Sequence, residues 1–569
     1  MKTRILLTAI SAAALMASGY ATAHDGRYHV AQNTELKQFT GNALPAAAPD
    51  GAEVPLWQNL TGHRFASSTT SAEAQDYIDQ AIMLTLGFNH AEAGRSFRQA
   101  QALDPDCAIC FWGEALVLGP NINAPMDPSA NAPALAALEQ ARRLAPGASP
   151  REQALISALA TRYAPDGDRG ALDIAYADAM NEVAEAFPDD DDIAVLYAES
   201  VMNLSPWDFW EEDGATPKGR MGDAIATLEN VLARNPDHPG AIHLYIHAVE
   251  ASTTPERAEP YADRLAAMDV GAGHLVHMPS HIYYRIGRYQ DSLEANRRAV
   301  ETDETFFAEV APEGIYAGGY YPHNIHFLMV SAQMAGDGPT VIDAADKLSA
   351  AISDEMARAA PAFVQPIKAA PLFAHAQFSD PDTILAIERP SGDFPFVDAA
   401  WRYARGVAFA SAQDVSNASA ERAELAAIAE NADLSGLIEG GMPAQEVLSI
   451  AVDTLDARIA LASGDLEAAA QFLKAAKQTE DGLPYMEPRF WHQPVGQSLG
   501  AVLLLNGDSE AAEQAFEESL KLAPNNGWAL YGLSEVYKSR GERDRAEEAL
   551  QKLDEAWIGS RYLLALNRL

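Results

Sequence analysis

Two short stretches of the chain carry histidines at matching intervals. His243 and His247 stand four residues apart in "HLYIH", and His277 and His281 repeat that interval 34 residues later. His323 and His326 follow in "YYPHNIH", three residues apart. On an α-helix, residues three or four apart share a face, with Cβ atoms about 5–6 Å from one another. Two imidazoles so placed reach one divalent ion, as in other H-x-x-x-H metal sites. One such pair is a weak signal, because helices often carry histidines in a core or on a surface. Three pairs in succession point to a metal site. Imidazole-rich sets without thiolates suit zinc, copper, iron or nickel. Copper fits an extracytoplasmic protein, and zinc is the general default. Six histidines serve two ions with three ligands each, or one ion with further partners behind it. An ion held by three histidines keeps a position open for water or dioxygen.

The elements that must position these side chains are legible in a repeat. Leu499, Gly507, Ala512 and Phe516 recur 34 residues later as Leu533, Gly541, Ala546 and Leu550, and Pro524 closes the first unit. Small residues let two helices approach, and large apolar ones fill the gap between them. Over about residues 490–555 the pattern resembles the tetratricopeptide repeat family. Weaker copies stand upstream: Ala93, Phe97, Ala100 and Pro105; Ala224, Leu228, Val231 and Pro236; and Gly287 with Ser292. The chain is also similar to a group of secreted bacterial repeat proteins sharing "DPDCAIC-WG" and "GPNIN" stretches, a group with no established activity to carry over.

The resemblance implies an all-α fold, an α-solenoid of helix–turn–helix units in which the first helix of each unit lines a concave face. Taking Gly287 and Gly336 as turn glycines places the histidines at the groove-facing positions of three successive first helices. His243, His247, His277, His281, His323 and His326 are then expected to stack on one wall, and Glu250 joins them as ligand or base. Pro322 just before His323 suits a helix start. Tyr320 and Tyr321 stand in the preceding loop, and Tyr321 is carried forward as a catalytic candidate. Tyr245 and Tyr283 read as core aromatics. His274 reads as a solvated turn residue, the asparagines of "GPNIN" as caps, and Trp491 with His492 as a plug for one end of the groove.

At 569 residues the chain exceeds a single core. The expected division is a secretory leader at 1–23, an arm at 24–71, helical repeat-like regions at 72–220 and 221–345, an irregular helical region at 346–450, and repeats at 451–569. The leader reading rests on Lys2 and Arg4, the apolar run Ile5–Met16 and the small residues "ATA" at 21–23. It predicts a periplasmic or secreted protein that would begin at His24. No later run is apolar for long enough to span a bilayer. The 80 acidic residues against 40 basic ones give a formal charge of −40, which argues against nucleic-acid binding. Cys107 and Cys110 suit a local disulfide in an oxidising compartment. No phosphate-binding glycine loop and no G-x-S-x-G elbow is present. The functional expectation is a copper or zinc metalloenzyme acting on a small molecule or peptide in the groove. The alternatives are a scaffold for a peptide or protein partner, and a metal storage or delivery protein.

Overall fold

The computed structural model describes residues 54–60, 62–268, 270–310 and 314–568. The leader, His24 and residues 24–53 of the arm lie outside the described residues. Among the described residues the chain is helical throughout, with two isolated bridges and no strand. None of the described helices is long and apolar enough to cross a membrane.

The helices pack mainly on their chain neighbours. Ala444–Ala462 lies on Leu466–Asp481, Val495–Leu505 on Ser509–Leu522, and Gly527–Arg540 on Arg543–Ala556. Local sequence explains where they begin. Asp465 and Asp508 accept hydrogen bonds from the backbone amides of Ala468 and Ala511, satisfying donors that a helix start leaves open. The repeat's small and large positions interlock as its pattern predicts. Phe516, fully buried, inserts between Gly500 and Gly532 of the flanking helices. A methyl group at Gly532 would lie 2.1 Å from that ring, so only glycine fits.

Two large apolar cores run along the chain, with a small third one of Ile384, Ala404 and Ala408. One extends from Val54 to Tyr320 and the other from Tyr289 to Leu564. They meet on the helix Tyr289–Glu309, which carries Phe306 of the first core and Leu293 and Val300 of the second, inside the histidine-rich segment. In the irregular region, Pro366 and Pro371 sit within the helix Pro361–Phe378, each removing one donor from its ladder.

An open superhelix would leave its concave face to solvent, and here the face is closed. The C-terminal repeat folds back on the central helices. The amide of Ile558 donates to the Ala335 carbonyl at 3.0 Å. Gln290 donates to the Glu555 carbonyl at 2.8 Å, and Asn525 to that of Gly287 at 3.3 Å. Trp557 packs edge-on against Trp528, ring centres 4.8 Å apart, and against Gly336. The segment between Asp481 and Val495 then lies across the histidines. The open groove expected from the repeat pattern is therefore a filled interior. Neighbour-to-neighbour periodicity encodes the stacking of units and not the return of the last unit onto the middle ones.

Candidate metal centre

The histidines are carried by three elements. His243 and His247 lie on Pro239–Val249. His274 and His277 lie on Gly273–His277, which continues through helical Met278 into Pro279–Ile286 with His281. His323 and His326 lie on Tyr321–Ala335. Their rings sort into two adjacent groups of three, His243–His247–His274 and His277–His281–His323. Within each, one nitrogen per ring lies within 4.8 Å of the others. Three nitrogens on one ion at about 2.0–2.1 Å each are about 3–4 Å apart, so shifts of about 1 Å close either set. The groups touch: the ring centres of His247 and His281 are 5.6 Å apart, and those of His274 and His277 5.9 Å.

This sorting departs from the sequence reading at two positions. His274 is no solvated turn residue; it is 1% exposed and completes the first group. One helical turn separates it from His277, enough to aim the two rings into different groups. His326 belongs to neither group and faces His492, with Nε2 atoms 3.1 Å apart.

Hydrogen bonds set the tautomers. The Nδ1–H of His243 donates to the Leu86 carbonyl at 2.5 Å, and that of His247 to Glu250 Oε1 at 2.8 Å. Their Nε2 atoms are buried without a partner, as are both ring nitrogens of His274. In the second group, Asn296 gives its amide hydrogens to the Ser292 carbonyl at 2.8 Å. Its oxygen therefore accepts from His277 Nδ1 at 2.5 Å. His281 Nδ1 donates to Glu250 Oε2 at 2.5 Å and also to Glu487. Backbone carbonyls and carboxylates behind a ring fix its orientation and raise its basicity as a ligand. Glu250, 0% exposed, serves both groups at once. It supports the rings from behind, and its oxygens are taken up by two imidazoles.

Charge follows from this geometry. Burial, then the neighbouring imidazoles, hold His243, His274 and His277 neutral, well below the usual histidine range. His247 is lowered in the same way by burial and by His281. Burial and His281 lower His323 to about 3. Burial also opposes a charge on His281, but Glu250 and Glu487 outweigh it and raise that ring to about 10. Burial and Glu250 raise Glu487 to about 8. The Nε2 atoms of His277 and His281 stand 2.7 Å apart. Two lone pairs at that distance repel, so a proton or a metal ion must lie between them.

Tyr321 does not reach the centre. Its hydroxyl donates to Glu304 Oε1 at 2.9 Å on the outer side. The π-helical turn Tyr316–Tyr320 before it aims Tyr320 inward, with its ring 4.6 Å from that of His274. Tyr245 and Tyr283 are core residues, bonded to Glu229 and Asp263. Asn123 of "GPNIN" accepts from Trp207 Nε1 at 3.0 Å, and Trp207 packs edge-on against His247. Four described non-glycine residues have a positive φ, and two of them, Phe88 at 57° and Trp207 at 64°, wall the first group. Such backbone costs about 1–2 kcal/mol per residue and gathers at functional sites. Cys107 and Cys110 form a disulfide.

A third cluster, His63–Asp192–His238, has a different character. His238 Nδ1 accepts from the Ala241 amide at 3.2 Å, so its Nε2 carries the proton and points at Asp192. Asp192 also pairs with Arg151. Here His63, His238 and Arg151 share one carboxylate, as in a structural ion network.

A family model described as tetratricopeptide repeat matches residues 503–556. The chain carries a tetratricopeptide repeat. That repeat is the one which folds back over the centre. Solved structures with this kind of likeness include yeast Tom70, 13% identical, covering 87% of this chain and 94% of that one, with a TM-score of 0.29. Human IFIT1 in a dimer with m7Gppp-AAAA is 14% identical, with coverage of 86% and 90% and a TM-score of 0.29. Naa15/Naa10 bound to HypK-THB is 15% identical, with coverage of 85% and 70% and a TM-score of 0.22. No curated protein sequence matches the chain.

Proposed function

We propose that this repeat protein is a metalloprotein whose two three-histidine groups hold a pair of transition-metal ions, zinc or copper. One observation carries the reading. In the first group two rings are locked with Nδ1–H turned outward, and their Nε2 lone pairs converge, unpartnered, in a buried space. A structural histidine cluster would satisfy those atoms, since a buried polar atom without a partner costs about 1–3 kcal/mol. In the metal-free state the proton on His281 holds the second group together. Loading that group exchanges the proton for an ion.

Three-histidine sets leave coordination positions open, so the pair suits metal-dependent activation of water or of a small substrate. Tyr320, buried beside His274, is the hydroxyl placed to act on a bound molecule. Binding of an extended peptide is the alternative that the repeat fold alone allows, and it is less well supported because the concave face is filled. A role in storage calls for more ions than these groups accept. An extracytoplasmic site of action agrees with the leader-like start and the disulfide. The test is metal uptake by the stripped full-length chain, with and without His274→Ala. The reading expects the substitution to remove the ion of the first group, and fails if uptake is absent or indifferent to it.

A further inference from the structure

The two groups are sealed, with His243, His247, His274, His277 and His281 at most 2% exposed. Any ion bound there needs an entry path. A narrow cleft of about 30 Å³ ends at the least buried member of the centre, His323. Its walls bring together His326, His492, Met442, Met486 and Glu487. His326 and His492 are 166 residues apart in the chain, yet their Nε2 atoms lie 3.1 Å from one another. His492 Nδ1 is buried without a partner. Arg489, also on the wall, gives its guanidinium to the Leu522 carbonyl at 2.9 Å. Two histidines and two methionines therefore line the cleft.

That donor set selects its ion. Neutral thioether sulfur is a soft ligand that favours copper(I), while zinc sites are built from thiolate, imidazole and carboxylate and magnesium takes oxygen donors. Imidazole accepts copper in either oxidation state. We infer that the cleft is a copper(I) site, made by His326 and His492 with Met442 and Met486, which passes copper to the three-histidine groups. The transfer moves an ion between ligands and changes no oxidation state. The site stands on its own donors; the transfer rests on the metal centre proposed above.

The test uses the full-length, metal-stripped protein under anaerobic conditions, titrated with copper(I) held by excess competing chelator and, separately, with zinc(II). The probe variant is Met442→Leu/Met486→Leu. Leucine keeps the volume of methionine at a typical cost below about 1.5 kcal/mol, so the variant folds. His492→Ala is the second variant. Wild type is expected to hold one more equivalent of copper(I) than of zinc(II). Both variants should lose that extra equivalent and fill the centre with copper at least about tenfold more slowly, with zinc uptake by the double Met variant unchanged. Copper stoichiometry and rate that are the same in wild type and both variants would overturn the cleft site. If zinc uptake is also absent and insensitive to His274→Ala, the centre itself falls. If zinc fills the centre while copper ignores the variants, only the copper(I) site falls.

Discussion

Glu250→Gln separates a metal centre from a polar core. The carboxylate accepts two Nδ1–H groups, from His247 at 2.8 Å and from His281 at 2.5 Å. An amide of the same shape offers one acceptor and one donor. His281 keeps a second acceptor in Glu487, whereas His247 has Glu250 alone among its ring-nitrogen partners. The amide hydrogens should therefore settle against His247 Nδ1, which must give up its proton. The proton then moves to Nε2 and blocks the lone pair that faces His243 and His274. Loss of an orienting partner behind a ligand weakens metal binding about 10–100-fold, which is about 1.4–2.8 kcal/mol. The loss is expected in the first group and not in the second. Chelator-competition titration with zinc(II) reads it in two backgrounds. With His323→Ala, which leaves the first group, Glu250→Gln should weaken the remaining ion by that factor. With His274→Ala, which leaves the second, the affinity should change less than about threefold. Equal effects in both backgrounds, or none, would refute the tautomer argument.

Asp303 is pushed up to about 7 by burial, which outweighs its hydrogen bonds from Tyr316 and Asn324. The raised value means that its contribution to stability is present below its ordinary 3.8 and lost as pH rises through about 7. Asp303→Asn should flatten the melting profile between about pH 4 and about pH 7 and stabilise the metal-free protein above that range, measured as the difference between the two curves; Asn324, whose oxygen is unpartnered, can turn to accept the new amide. Trp557→Ala should cost about 3–5 kcal/mol in denaturant unfolding, because the ring is buried where the last repeat returns to the central helices. Thiol titration of denatured protein should find no free thiol before reduction and two after it, from Cys107 and Cys110.

The stacking of helix pairs was readable because each unit repeats its own small and large positions, as Phe516 between Gly500 and Gly532 illustrates. The histidine pairs were readable for the same reason: helical spacing puts His243 with His247 and His277 with His281 without any long-range information. What escaped the sequence depends on contacts between distant segments. Glu487 reaches His281 across 206 residues, and no local pattern marks it. The sequence reads His492 as a plug for one end of the groove, but nothing local marks its partner His326 across 166 residues. His274 reads from sequence as a turn residue because three residues before His277 looks like the approach to a helix, whereas it lies in the first turn of one. Tyr320 and Tyr321 were indistinguishable until the π-helical turn decided which of them faced inward.

Metal uptake by the stripped chain distinguishes a metal centre from a polar core. Full-length protein freed of metal, reloaded with zinc(II) and desalted should retain about two equivalents, one for each three-histidine group. His274→Ala and His323→Ala should each retain about one, with far-UV circular dichroism unchanged. Wild type retaining less than about one tenth of an equivalent, or both variants retaining as much as wild type, would contradict the account.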